Sequence, residues 1–186
     1  MGWDGRRKFV AGLEERALKK HGLENVAKAL NDASVPYILV GGVAVIAHGY
    51  GRSTQDVDIV VQLRPDAVRA AFSALATLGY TPRVPVTAEQ FSDGEQRKRW
   101  IAEKGMMVLN FHSDRNAQAP VDMFVSEPFD FQSEYDSAMI VQVGPGIPVR
   151  VLRLATLLRL KREAGRPQDL ADVAELEEIH GDSKGA

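Results

Sequence analysis

The chain has 186 residues, 45% hydrophobic and 26% charged, with a formal net charge of −2. That length suits one domain with an ordinary core, and the near-neutral balance gives no support to strong non-specific nucleic-acid binding. Cysteine is absent, which excludes disulfides, thiolate zinc sites and cysteine nucleophiles.

Residues 4–33 read as helical: Phe9, Val10, Leu13 and Ala17, then Leu23, Val26, Ala27 and Leu30, fall at helical spacing. Gly22 is expected to separate two helices, with Lys19, Lys20 and His21 in the last turn of the first. Ser34-Val35-Pro36 ends the second and hands over to a strand from Tyr37 to Val40. A glycine pair, a short helix over Val43–His48 and a turn through Gly49 and Gly51 follow, then a second strand from Asp56 to Val61. Pro65 opens a helix to about Leu78, and Thr81–Val86 is a loop or short edge strand limited by two prolines. Thr87-Ala88-Glu89-Gln90 has the form of a capping box, and Asp93-Gly94 interrupts the segment. Arg97, Lys98, Arg99 and Trp100 read either as a solvated helix face with one anchored Trp or as a contact surface for an RNA or acidic acceptor. Strands are expected at Met106–Phe111 and Val121–Val125, with a polar turn over His112–Ala119. A loop or short helix over 129–138 precedes a hairpin of Ile140–Val143 and Ile147–Val151 around Gly144-Pro145-Gly146. A helix over Leu152–Ala164 and a last helix opened by Pro167 complete the pattern. Residues 1–180 are read as a single domain and 181–186 as a flexible tail. No apolar run approaches the roughly 20 residues of a membrane span. Arg6, Arg7 and Lys8 precede no apolar segment of secretory type. The expected location is the cytoplasm, with no membrane partner.

The segment Tyr37–Gln62 carries the chemistry. On a strand, Asp56 and Asp58 share one face and Val57 takes the other. Two carboxylates on one face repel unless a cation lies between them, and Mg²⁺ typically takes one or two carboxylates plus substrate phosphates. Gly41-Gly42 at a strand-to-helix junction lets backbone N–H groups approach an anion, and Arg52 offers a forked contact to phosphate oxygens. Each piece alone is weak, since surface strands often begin with acids and a glycine pair is often only a turn. Asp122, inside the apolar Val121–Val125 run, either pairs with an arginine, lies on an exposed face, or joins Asp56 and Asp58 from a neighbouring strand. Lys161 falls on the apolar stripe of Leu154, Leu157 and Leu158. It either snorkels to water or reaches the carboxylates or phosphates. Arg166 with Asp169 or Asp172 reads equally as a structural ion pair. The four histidines have no metal-ligand spacing, and His48 is read as holding the turn before Gly49 rather than as a base.

The order of these pieces is more specific than any of them. Gly41-Gly42, Ala44, His48-Gly49, Arg52, Thr54, Asp56 and Asp58 stand as GG-x-A-x-x-x-HG-x-x-R-x-T-x-D-x-D. This resembles the DNA-polymerase-β-like nucleotidyltransferase superfamily. Within it the chain looks most like the minimal bacterial and archaeal members that include the AbiEii-like toxin nucleotidyltransferases. The resemblance covers about residues 25–178 and implies an α/β (α+β) nucleotidyltransferase fold: a mixed, mostly antiparallel sheet flanked by N- and C-terminal helices. It implies transfer of an NMP from an NTP to a hydroxyl acceptor, with Mg²⁺ or Mn²⁺ on Asp56, Asp58 and Asp122. Gly41, Gly42, Arg52, Ser53 and Thr54 would hold the nucleotide, Asp122 would complete the metal site or orient the acceptor hydroxyl, and Lys161 would offset charge on the phosphates. Implied partners are the NTP, an acceptor class that includes tRNA, and, for a toxin, a cognate antitoxin. The alternative reading is a non-catalytic nucleotide-binding or protein-interaction module of the same fold.

Overall fold

The computed structural model describes residues 20–114 and 119–181. In chain order the elements are α1 (Lys20–Asp32), β1 (Tyr37–Leu39), α2 (Gly41–Ala47), β2 (Val57–Val61), α3 (Pro65–Thr77), β3 (Thr81–Pro82), α4 (Ala88–Ser92) and α5 (Gly94–Lys104). They continue with β4 (Val108–His112), β5 (Val121–Phe124), α6 (Phe131–Ser137), β6 (Met139–Gly144), β7 (Ile147–Val151), α7 (Leu154–Ala164) and α8 (Pro167–Gly181).

The strands form one seven-stranded sheet in the order β3-β4-β5-β2-β1-β7-β6. The β1/β2, β3/β4, β4/β5 and β6/β7 pairs are antiparallel, and β1/β7 and β2/β5 are parallel. The mixed, mostly antiparallel sheet expected from the sequence is therefore present. β2 lies at its centre, and Val57, Ile59, Val60 and Val61 are fully buried there. On β4 and β5 the apolar residues alternate with polar or part-exposed ones. Leu109, Phe111, Val121 and Met123 face the core, while Asn110 and Asp122 sit on the other face. The core face is closed by an aromatic cluster in which Phe72 of α3 packs on Phe91 and Phe111, and Phe91 meets Trp100 of α5. Trp100 is buried and anchors α5, on which Lys98 and Arg99 are exposed.

Local chemistry sets most boundaries. Thr87 and Gln90 form the expected capping box, with bonds of 3.2 and 3.0 Å. Asp93 ends α4 and caps α5 by accepting from the N–H groups of Glu95 and Gln96. Gly146, at φ +69°, turns the β6–β7 hairpin.

Several expectations need correction. Gly22 does not separate two helices, because α1 runs through it from Lys20. A Cβ at Gly22 would stand 3.1 Å from the Ala119 backbone nitrogen, so this glycine serves close packing rather than a break. Lys20 and His21 accordingly belong to the same helix as the residues after Gly22. Lys19 and the apolar positions before it lie outside the described residues, as do residues 182–186. His112 belongs to β4 rather than to a turn. The strand at Asp56 begins one residue later, at Val57.

Candidate active site

Asp58, Asp122 and Asn110 form one row across three strands. Asp58 of β2 is the register partner of Asp122 in the parallel β2/β5 pair, and Asp122 is the partner of Asn110 in the antiparallel β4/β5 pair. Residues directly opposite across a ladder point to the same face, so the fold brings the second and third expected carboxylates side by side. The Asn110 Nδ2 amide donates to Asp122 Oδ1, which fixes that carboxylate, and Asp122 lines the adjoining cleft. Asn110 Oδ1 is buried without a partner. Its amide orientation is nonetheless settled, because the reverse would set an oxygen against the carboxylate.

The glycine pair is explained by Asp58. Gly41 has φ +58°, and a Cβ there would lie 2.0 Å from Asp58 Oδ2. At Gly42 a Cβ would lie 2.4 Å from Thr54 Oγ1 and 3.0 Å from Arg52 Nη2. Both positions are closed to any side chain, one by the carboxylate and one by the loop before β2. The Gly42 N–H donates to Asp58. In this structure the Gly42 N–H serves that carboxylate.

The electrostatics mark the row as strained in charge. Burial raises the Asp58 carboxyl to about 6; the neighbouring Asp122 and Asp56 charges add to the rise, and the Gly42 N–H and Lys161 oppose it. Asp122 is also raised, chiefly by burial and further by Asp56, against the Asn110 bond and the Arg83 charge. Asp56 lies just before β2, so strand alternation does not place it, yet its charge reaches both partners. Ser53 is exposed and Thr54 partly buried in the same loop. Among the described residues no three His, Cys, Asp or Glu side chains gather into a ready cation cage. The donor set nonetheless fits Mg²⁺, which needs only one or two protein carboxylates when phosphates supply the rest.

Arg52 and Lys161 are held by α8. Lys161 is buried, so it does not snorkel; its Nζ lies 2.8 Å from Asp169 Oδ1 and 2.7 Å from Asp172 Oδ2. Arg52 Nε stands 2.9 Å from Asp172 Oδ1, and Arg52 Nη1 donates to the Ser53 carbonyl at 2.9 Å. Arg52 Nε and Asp172 Oδ2 make no directed hydrogen bond, so these two contacts are close charge attraction rather than aligned bonds. Gln168 donates to Asp172 Oδ1 at 3.1 Å, and Arg166 Nε to Asp169 Oδ2 at 2.6 Å. Arg52 thereby ties the loop before β2 to α8. His48 has the structural role read from the sequence. Its Nε2–H donates to the Leu152 carbonyl at 2.8 Å, and its own carbonyl accepts from His180. Burial lowers the His48 pKa, with the Leu152 bond opposing.

A cleft of 580 Å³ opens beside the row. Gly41, Asp58, Asp122, Lys161, Arg166 and Asp169 supply its polar lining. Leu157 and Leu160 of α7, with Met107 and Phe124, supply apolar wall. That volume suits a nucleotide-sized ligand. One participant and one tie lie beyond the sequence pattern. Asn110 had only strand alternation to mark it, and pairing register is not written in one segment. The role of Asp172 as common partner of Arg52 and Lys161 needs the packing of α8 on the loop before β2, which no local pattern encodes.

No family model and no curated protein matches the chain. Among solved structures, it is similar to an antigenic nucleotidyltransferase-like protein from Paracoccidioides brasiliensis. The TM-score is 0.52 at 18% identity, over 86% of this chain and 75% of that one. The fold is therefore nucleotidyltransferase-like. The likeness does not single out the AbiEii-like subgroup.

Proposed function

We propose that the protein is a metal-dependent nucleotidyltransferase that moves an NMP from an NTP to a hydroxyl acceptor. The observation that carries this reading is the register pairing of Asp58 with Asp122 beside a cleft of nucleotide size. Two adjacent carboxylates, both raised above their ordinary range, are a costly arrangement that a divalent cation would relieve. Asp58 and Asp122, with Asp56 near, would hold Mg²⁺ or Mn²⁺. That ion would supply charge neutralisation at the phosphates and polarisation of the reacting oxygen.

The residues of the chain do the rest. Asp122, whose Oδ1 accepts from Asn110, would orient the acceptor hydroxyl and take its proton. The hydroxyl oxygen forms a bond to the α-phosphorus as the bond to the β-phosphate oxygen breaks, and pyrophosphate leaves. Gly41 and Gly42 hold Asp58 at the mouth of the cleft. Lys161, set by Asp169 and Asp172, places positive charge beside the site. Arg52, Ser53 and Thr54, in the loop before β2, stay part of the proposal on the strength of the motif. The acceptor class, tRNA included, the toxin role and a cognate antitoxin rest on the sequence resemblance alone.

One observation favours the second reading, a non-catalytic nucleotide-binding or interaction module. Arg52 and Lys161 are both engaged by α8 carboxylates. Reactions with α-labelled NTPs, Mg²⁺ and separate RNA, protein and small-molecule acceptor fractions decide between them. The proposal expects label in one fraction together with pyrophosphate, both lost in Asp58→Asn. Transfer that survives Asp58→Asn overturns the assignment. Release of inorganic phosphate without transfer points to a hydrolase.

A further inference from the structure

The apolar half of the cleft bears on which nucleotide enters, and the inference drawn from it rests on the nucleotidyltransferase reading above. With the triphosphate drawn to Asp58 and Asp122, the nucleoside would lie along the same 580 Å³ cleft. Its wall there is built from Leu152, Leu157 and Leu160 together with Met107, Phe124 and Pro128. Such a wall can hold the flat face of a base. It cannot read the hydrogen-bonding edge.

Most of the backbone groups bordering the wall are already engaged, and its charged side chains Glu163 and Arg166 stand at the exposed rim. The Val40 N–H donates to the Asp58 carbonyl, and the Val40 carbonyl accepts from Ala44. The Leu152 N–H donates to the Leu39 carbonyl, and its carbonyl accepts from His48. The Met107 carbonyl accepts from the Val125 N–H, and the Pro128 carbonyl from Arg159. Glu163 pairs with Arg159 at 2.8 Å, while Lys161 and Arg166 pair with the α8 carboxylates. Among the described residues lining the cleft, none is an Asn, Gln, Ser, Thr or Tyr.

We propose that this cleft selects its nucleotide by the triphosphate and by ring area, not by base identity, so that ATP, GTP, CTP and UTP all enter. The physical ground is the size of the available discrimination. An apolar pocket separates ligands that differ by a small group only about 10- to 200-fold, whereas a site that hydrogen-bonds a ligand edge rejects the wrong one by roughly 10⁴-fold. Purines bury more ring area than pyrimidines and gain modestly. Adenine and guanine are not told apart, nor are cytosine and uracil.

The test is calorimetric titration of each of the four NTPs, with Mg²⁺, into the wild-type protein, into Asp58→Asn and into Leu160→Glu. Leu160 is only partly buried, so a charge there is compatible with folding. The four wild-type Kd values are expected within about 200-fold of one another, the most an apolar wall supplies. Binding is expected to be lost in Asp58→Asn and to weaken for all four alike in Leu160→Glu. A preference above about 200-fold for one base, or a Leu160→Glu effect confined to one base, overturns base indifference and leaves the nucleotidyltransferase reading standing. No binding of any NTP by the folded wild type, or binding unchanged in Asp58→Asn, overturns that reading and this inference with it.

Discussion

At Gly41 a positive φ and a steric wall coincide: the backbone stands at φ +58°, and any Cβ would meet Asp58 Oδ2 at 2.0 Å. Gly41→Ala should destabilise the fold by at least about 2 kcal/mol, since strain and overlap act together; a denaturant midpoint equal to that of the wild type would refute this. Asp58 itself carries a cost. Its carboxyl is raised from 3.8 to about 6, a differential of roughly 3 kcal/mol against folding at neutral pH. The unfolded chain releases this proton near pH 4. The folded protein keeps it until about 6, so stability falls as pH rises through that window and is level above it. Asp58→Asn keeps an acceptor for the Gly42 N–H and removes the charge. It should raise the thermal midpoint at pH 7.5 by roughly 5 to 10 °C, with the gain fading at pH 4. A variant no more stable than wild type at pH 7.5 would show that the charge is already compensated in the ligand-free protein.

The helical pair α7–α8 governs the middle scale. Asp172 is fully buried between Lys161 and Arg52, so one carboxylate ties α8 both to α7 and to the loop before β2. Asp172→Ala should cost about 3 to 5 kcal/mol by leaving buried cations short of a partner. Asp172→Leu combined with Lys161→Met should cost clearly less, because charge leaves on both sides; unfolding curves that show additive losses would contradict this. The same helix is fastened by His180 to the His48 carbonyl, and His48 to Leu152. His48 has a lowered pKa, so the unfolded chain takes up its proton first as pH falls below about 6.5. The His48 contribution is complete above that pH and declines beneath it. Hydrogen exchange in α8 should accelerate between pH 6.5 and 5 relative to the sheet strands, and unchanged relative protection would refute the linkage.

Over the whole molecule, what the sequence made legible was what is local or periodic. The Asp58 strand, the Thr87 capping box, the β6–β7 hairpin and the apolar stripe of α7 all follow from spacing or turn chemistry. The pairing of Asp58 with Asp122 was reached only through resemblance to a family, because strand order is a long-range property. Gly22 was misread because a glycine inside a helix looks like a break until the Ala119 backbone is seen against it. Asn110 and the Asp172 tie stayed hidden for the same reason as the register: their partners come from distant segments. The described residues contain no helix long and apolar enough to cross a membrane, in keeping with the sequence.

The central claim is that Asp58 and Asp122 together form a cation site completed by a triphosphate. The most direct measurement is Mn²⁺ binding followed by electron paramagnetic resonance at pH 7.5, with and without an NTP, in the wild type, Asp58→Asn and Asp122→Asn. The account predicts that the NTP-dependent Mn²⁺ signal is saturable in the wild type and at least about tenfold weaker in each variant, as expected when one of two protein carboxylates is lost. Equal Mn²⁺ retention by all three folded proteins would contradict it.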